Sequence, residues 1–318
     1  MPRPQPYAVE RVAIVGGGVI GSGWAAYFLA RGLEVTATDP HPEGEARIRA
    51  AVANAWPALE RLGLAPGADM RRLGYAKTVA AAVANADFVQ ENAPENEDLK
   101  TKLMFEIDAA TPPDVVIASS TSGLLPSRFQ RMAAQPERIL VGHPFNPVYL
   151  LPLVEVVGGA ATSEAAKDWA VAFYNAIGKR ALKCRKEVPG FISDRLQEAL
   201  WREALHLVND GIGTTAEVDD AIRFGPGLRW AFMGSFLTFH LAGGDAGMAH
   251  YIEQFGPALD LPWTNHKGPA MTRDLADRLV IGTRDQAGGL TVKELERKRD
   301  DVLIGIMELL GQRWYTKA

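Results

Sequence analysis

The 318-residue sequence contains a single cysteine, Cys184. One thiol cannot build a disulfide framework or a thiolate metal site, and it suits a reducing compartment, here expected to be the cytoplasm. The six histidines form no H-E-x-x-H pattern and no clustered ligand spacing. Chemistry is therefore expected to rest on a nucleotide and on side chains, with no metal. Positive charge is not in excess: 34 Lys and Arg stand against 38 Asp and Glu, for a net charge of −4. That balance speaks against a nucleic-acid partner and against a polybasic membrane contact. No uninterrupted apolar run is long enough to cross a bilayer, and Met1–Pro6 has no apolar core of signal-peptide length. Repeats and low-complexity tracts are also lacking. What remains is an ordinary globular composition, 47% hydrophobic and 23% charged, at a length that suits two domains or one large one.

The most informative stretch that is present starts at Val12. An apolar run, Val12–Val15, is followed by Gly16-Gly17-Gly18-Val19-Ile20-Gly21 and then by a helical pattern. A second strand, Val35–Thr38, ends at Asp39, 18 residues beyond Gly21. Each part has a task in holding a dinucleotide. Gly16 permits the strand-to-helix turn, Gly18 lets the backbone approach a pyrophosphate, and Gly21 lets the helix pack on the strand. The phosphates are expected at the helix N-terminus, where free N–H groups and the helix dipole favour negative charge. Asp39 is expected to accept hydrogen bonds from a ribose 2′-hydroxyl and to repel a 2′-phosphate, which selects NAD over NADP.

The first half alternates strands and helices. Further strands are expected at Phe88-Val89, Val115–Ala118, Ile139–Val141, Leu153–Val157 and Lys179–Lys183, and helices near Ile20–Arg31 and Glu43–Leu62, the latter broken at Trp56-Pro57. This predicts a doubly wound α/β sheet of Rossmann type. From Phe191 the pattern is helical, so the expected domains are 1–188, binding NAD, and 189–318, all-helical and serving substrate binding and dimerisation. The last helix opens on a capping box, Thr291-Val292-Lys293-Glu294. Its apolar stripe (Val292, Leu295, Val302, Leu303, Ile306, Leu309, Leu310) must face the rest of the domain or a partner subunit.

Two segments carry candidate chemistry. His143-Pro144-Phe145-Asn146-Pro147 is followed, twelve residues after the histidine, by Glu155 within Leu153–Val157. A hydride leaves a secondary alcohol only as the hydroxyl proton is lost, and histidine is a base of suitable pKa. A carboxylate on the far ring nitrogen fixes the tautomer, and a carboxylate in an apolar strand needs a partner. On the segment alone, His143 reads equally as a base or as a satisfied loop histidine. The second segment, Ala118–Gly123, follows a strand, where open α/β sheets bind ligands. Its hydroxyls suit a substrate oxygen, although for any single serine a helix-capping turn is the simpler reading.

With these pieces in order, the chain resembles the 3-hydroxyacyl-CoA dehydrogenase superfamily along nearly its whole length. The matching residues are Gly16–Gly21, Glu91–Lys100, Ser120-Thr121-Ser122, His143–Pro147 with Glu155, and Pro189-Gly190-Phe191-Ile192. The resemblance implies a catalytic pair at His143 and Glu155 and a substrate-contacting serine at Ser122. It also implies Glu95 and Lys100 near the nicotinamide ribose. One position departs: the family usually has asparagine where this chain has Asp194, which alters the local charge.

The second half resembles the lambda-crystallin branch more than the acyl-CoA enzymes, through Gly225–Gly234 and Glu294–Leu310. Phe236–Gly247 and Gln254–Leu259, followed by Trp263, look most like carnitine-oxidising members. The implied reaction is oxidation of L-carnitine to 3-dehydrocarnitine, with L-gulonate or another short 3-hydroxy acid as the alternative. A non-catalytic, crystallin-like NAD-binding protein is the alternative of another class. A quaternary ammonium has no N–H to donate and is recognised by aromatic faces. Eight aromatics fall between Phe224 and Trp263, each of which taken singly reads more simply as core. Phe145, Trp230, Tyr251 and Phe255 are the cage candidates, Asp194 a compensating charge, and Arg229 the partner for the substrate carboxylate, with Arg195 in reserve. The stripe of the last helix and the family together imply a homodimer.

Overall fold

The computed structural model describes residues 5–257, 261–264 and 267–313. The first four residues, and Ala258 and Leu259 of the segment 254–259, lie outside them. The chain divides into two compact units between Arg195 and Leu196, seven residues beyond the boundary expected at residue 188.

The first unit is built on one eight-stranded sheet: β1 (Arg11–Val15), β2 (Glu34–Thr38), β3 (Leu73–Tyr75), β4 (Phe88–Glu91), β5 (Val116–Ser119), β6 (Ile139–Pro144), β7 (Leu153–Gly158) and β8 (Arg180–Lys183). The order is β3-β2-β1-β4-β5-β6-β7-β8. The first six strands are parallel, β7 runs antiparallel to β6, and β8 is parallel to β7. The order reverses direction between β1 and β4, so the loops leaving those two strands diverge and open a crevice.

Residues alternate between two cores with the period of two that a strand imposes. On one face Val12, Ile14 and Phe88 pack with α1 (Val19–Ala30), α2 (Gly44–Leu62) and α6 (Glu164–Ala176). On the other, Ala13, Val15 and Val89 pack with α3 (Val79–Val83), α4 (Glu97–Ala110) and α5 (Pro126–Phe129). Helix α1 is buried all round from Gly21 to Ala30, which is why it is apolar on every face. An aromatic cluster anchors this core: Phe88 lies 4.5 Å from Phe173, and Phe28 is 5.0 Å from Trp24.

Two expectations differ from what is observed. Helix α2 runs unbroken through Pro57. Proline removes one backbone bond, but Ile48, Val52, Ala55, Trp56 and Leu59 form one buried stripe across it and hold both halves to the same core. The three-residue strand β3 has no counterpart among the expected strands. It is short and lies at the sheet edge, yet it carries Tyr75, whose hydroxyl donates to Asp39 O at 2.8 Å.

The second unit is helical. Its elements are the body of α7 (Ser193–Asn209), α8 (Thr215–Arg223), α9 (Pro226–Trp230), α10 (Gly234–Ala242), α11 (Gly247–Phe255), α12 (Arg273–Ala287) and α13 (Val292–Arg313). The capping box ahead of α13 is formed: Glu294 N donates to Thr291 Oγ1, and Thr291 N donates to Glu294 Oε2. A second box stands at Thr214 and Glu217. No helix among the described residues is long and apolar enough to cross a membrane.

Candidate active site

At the end of β1, Gly16 takes φ +96°, and a Cβ there would lie 2.8 Å from the Asn92 backbone. Gly21 is tighter still: its Cβ would meet Gly16 O at 1.9 Å. Gly18 is the opposite case, because a Cβ there would meet nothing within 4 Å. Gly18 is also the N-cap of α1 and offers no side-chain cap. The helix therefore presents its first N–H groups to open space at the bottom of the crevice, which is what a pyrophosphate needs. Asp39, just past β2, accepts from Gly17 N at 2.7 Å and from His41 N at 2.8 Å. Each carboxylate oxygen has a second lone pair left for a ribose hydroxyl. The loop thus fits the dinucleotide expected from it.

The loop after β4 forms the other wall. Glu91 is fully buried and accepts from Lys100 Nζ at 2.9 and 3.1 Å, from Ser119 Oγ and from Ala93 N. Lys100 also donates to Ala93 O at 2.7 Å and is 1% exposed. The ammonium is turned inward, and its partners are Glu91 and Ala93. Asn96 Oδ1 caps α4 through Leu99 N and fixes the helix that carries this lysine. Glu95 faces the crevice, where Thr121 Oγ1 donates to it at 2.7 Å and Ser122 N at 2.8 Å.

These elements line a cavity of about 310 Å³ that includes Gly18, Val19, Ile20, Glu95, Ser122 and His143. Two serines border it with different freedom. Ser120 Oγ accepts from Trp24 Nε1 and Gln90 Nε2 and donates to Asn92 Oδ1, which uses its full capacity. Ser122 Oγ has only a long bond, 3.3 Å, to Glu95. Ser122 is thus the serine whose hydroxyl is available to a ligand.

His143 and Glu155 are direct cross-strand partners in the antiparallel β6–β7 ladder. Their side chains meet at 3.0 Å, Nδ1 to Oε2. Both are buried, at 5% and 0% exposure. The other carboxylate oxygen, Glu155 Oε1, accepts from the N–H groups of Ile192 and Ser193, each at 3.0 Å, where α7 begins. Burial pushes the Glu155 carboxyl up, but the bonds to His143, Ser193 and Ile192 outweigh it and hold it below the ordinary value of 4.5. The same burial pushes the Cys184 thiol up to about 11, with the Glu155 charge adding to it, so this cysteine is inert.

The imidazole sits between Phe145, at 4.7 Å, and Phe191, at 5.7 Å. Phe191 takes φ +46° and is 1% exposed. A left-handed phenylalanine costs roughly 1–3 kcal/mol and persists only where the surroundings hold it. No sequence pattern marks that conformation. Lys179 is a second residue that sequence reasoning missed. It is 5% exposed, donates to Val148 O and to Leu151 O (2.9 Å), and lies 3.9 Å over the Tyr27 ring. It thereby pins the segment between His143 and Glu155, and burial lowers its pKa well below the usual lysine range. Asp194, in the first turn of α7, stands 3.9 Å from the Nε2 of His143.

The remaining candidates belong to the second unit. Arg229 and Trp230 are exposed on α9. Tyr251 stacks on Phe239 at 4.8 Å and on Phe255 at 5.0 Å. That arrangement is a column of rings, whereas a cage needs faces turned toward a shared space. Nor are these aromatics core. Phe224, Trp230, Phe236, Phe239, Phe255 and Trp263 are all exposed, Phe236 by 82%.

Two substitutions separate the roles of the glycines. Gly21→Ala should destabilise the protein by roughly 2–3 kcal/mol, because it drives a methyl into backbone. Gly18→Ala should change stability by less than about 1 kcal/mol while weakening NAD binding at least tenfold. Thermal unfolding and a binding titration check both. For Glu155, the folded-state pKa is depressed, so its contribution is complete above about pH 4.5 and is lost as pH falls below that value. Urea unfolding from about pH 3 to pH 7 should show that acid loss in the wild type and a flatter profile in Glu155→Gln.

Comparison with known proteins adds the family. Residues 11–188 match the 3-hydroxyacyl-CoA dehydrogenase NAD binding domain, and residues 190–291 match the C-terminal domain of the same family. The L-carnitine dehydrogenase of Pseudomonas putida is 60% identical over 300 residues, covering 94% of each chain. That of Bacillus cereus is 53% identical over 307 residues, covering 96% of this chain and 94% of the other. Among solved structures, 5-formyl-3-hydroxy-2-methylpyridine 4-carboxylic acid 5-dehydrogenase, an NAD+-dependent dismutase, superimposes with a TM-score of 0.81 at 27% identity, covering 96% of this chain and 99% of the other. The chain belongs to the 3-hydroxyacyl-CoA dehydrogenase family, and its cofactor is NAD.

Proposed function

We propose that this protein oxidises L-carnitine to 3-dehydrocarnitine with NAD. The observation that carries the reaction is the buried His143–Glu155 pair at the edge of the cavity that Gly18 and Ser122 also line. The substrate is taken from the L-carnitine dehydrogenases to which the chain is 53–60% identical.

In this reading His143 Nε2 takes the proton of the 3-hydroxyl. Glu155 holds Nδ1 in the protonated tautomer and stabilises the imidazolium that forms, while the α7 N–H groups keep the carboxylate in place. Ser122 Oγ donates to the substrate oxygen. When bound, NAD supplies the acceptor for the hydride released from C3. Gly16–Gly21 and Asp39 hold its pyrophosphate and adenosine ribose, and Glu95 borders the cavity beside them. Phe145 offers an aromatic face next to the base.

Folded protein given NAD and L-carnitine should form NADH, and L-gulonate should react far more slowly. His143→Ala should lower kcat by about 10²–10⁴-fold with NAD affinity retained. Absence of NADH formation from L-carnitine, with NAD still bound, would support a non-catalytic NAD-binding role instead.

We further propose a homodimer formed through the second unit. On α13, Val292, Leu295, Val302, Ile306 and Leu309 are 38–73% exposed in the single chain, while among the described residues of that helix Ile304 is buried. An apolar face of that length needs a cover. Sedimentation should give twice the 34.4 kDa of one chain, and Ile306→Asp should shift the mass toward one chain. A monomer at micromolar concentration refutes the assembly.

A further inference from the structure

A carboxylate stands at each ring nitrogen of His143. Glu155 Oε2 is 3.0 Å from Nδ1, and Asp194 Oδ2 is 3.9 Å from Nε2. The two acids are otherwise unlike. Glu155 is fully buried, and its charge is answered by the ring and by two backbone N–H groups. Asp194 is 24% exposed and stands on the side of the ring that receives the substrate proton. At 3.9 Å it is beyond hydrogen-bond distance, and Glu155 already fixes the tautomer. Orienting the base therefore does not require Asp194.

We propose that Asp194 is the counter-charge for the substrate's quaternary ammonium, and the residue by which this site prefers a cationic 3-hydroxy acid to an uncharged one of the same shape. The proposal rests on the reading of His143 as the base in L-carnitine oxidation. In that substrate the nitrogen is attached to C4, two bonds from the reacting carbon. Once the 3-hydroxyl lies against Nε2, the cation is confined to the immediate surroundings of that atom, which is where Asp194 stands.

The chemistry of the two groups matches. A quaternary ammonium has no N–H, so it cannot use a directional acceptor. It is held by an anion at the distance its methyl groups allow, about 4–5 Å, and by aromatic faces. Phe145 provides such a face on the same imidazole. The position of Asp194 is set firmly, because the two residues before it donate their N–H groups to Glu155. Glu95 lines the adjoining cavity, and no lysine or arginine is among the described residues that line it.

The test compares L-carnitine with 3-hydroxy-5,5-dimethylhexanoate of the same configuration, in which carbon replaces the quaternary nitrogen and shape is kept. Wild-type protein should prefer L-carnitine by about 100-fold in kcat/KM. Asp194→Asn should cut that preference at least tenfold, mainly by raising KM for L-carnitine, with a clearly smaller change in kcat/KM for the neutral compound. Asp194→Glu, which keeps the charge, should keep most of the preference. Asp194→Ser, another polar first-turn residue, gives the same readout if the asparagine variant does not fold. An unchanged preference in the neutral variants overturns the assignment, as does an equal loss on both compounds, which would mean that Asp194 acts only through His143. Wild-type protein that oxidises neither compound defeats the L-carnitine reading itself, and this inference with it.

Discussion

One buried carboxylate ties the parts of the site together. Glu155 bonds His143 through one oxygen and the N-terminus of α7 through the other. Through the first contact it sets the orientation of the ring. Through the second it decides where the first turn of α7 lies, and so where Phe191 and Asp194 stand around that ring. The charge is tolerable at zero exposure only because all three donors are present. Removing a partner from a buried pair of this kind typically costs about 3–5 kcal/mol. The left-handed Phe191 lies just before the two donating N–H groups, so those bonds are part of what holds its strained backbone in place.

Much of the first unit was legible because its signals are local. The glycine loop and the strand that ends just before Asp39 obey short-range steric rules, and Gly16, Gly18 and Gly21 have three distinct surroundings: a left-handed turn, open space and a close backbone approach. The twelve-residue separation of His143 and Glu155 made sense as a pair, and it proves to be one rung of an antiparallel ladder. The misreadings came where tertiary packing outweighed a local rule. Pro57 should break a helix, but a buried stripe spans it. The buried bond between Lys100 and Glu91 has no local signal in composition or periodicity. The φ of Phe191 and the burial of Lys179 have no counterpart in composition or periodicity.

The second unit was less legible. Its capping box and helices could be read from the sequence, because they depend on neighbours three or four residues apart. Its aromatics could not be sorted, since enrichment alone does not separate core, cage and interface. The structure removes one option, because six of the eight are exposed, and weakens another, because Tyr251 is stacked between its neighbours' rings. Faces that a single chain leaves uncovered depend on a second molecule that one sequence does not describe.

The pairing of His143 with Glu155 across two antiparallel strands bears on how such a site tolerates change. Residues 145–152 link the two strands, and the contact between the pair does not pass through that connection. Lengthening or shortening the link would leave both side chains facing each other, provided that Lys179 still finds carbonyls to hold. A shift of one residue along either strand would instead send one of the two to the opposite face of the sheet. The base and its carboxylate are thus insensitive to loop length but intolerant of a slip in strand alignment, so a search for distant proteins with this chemistry should hold the alignment of the strands fixed and let the gap between the residues vary.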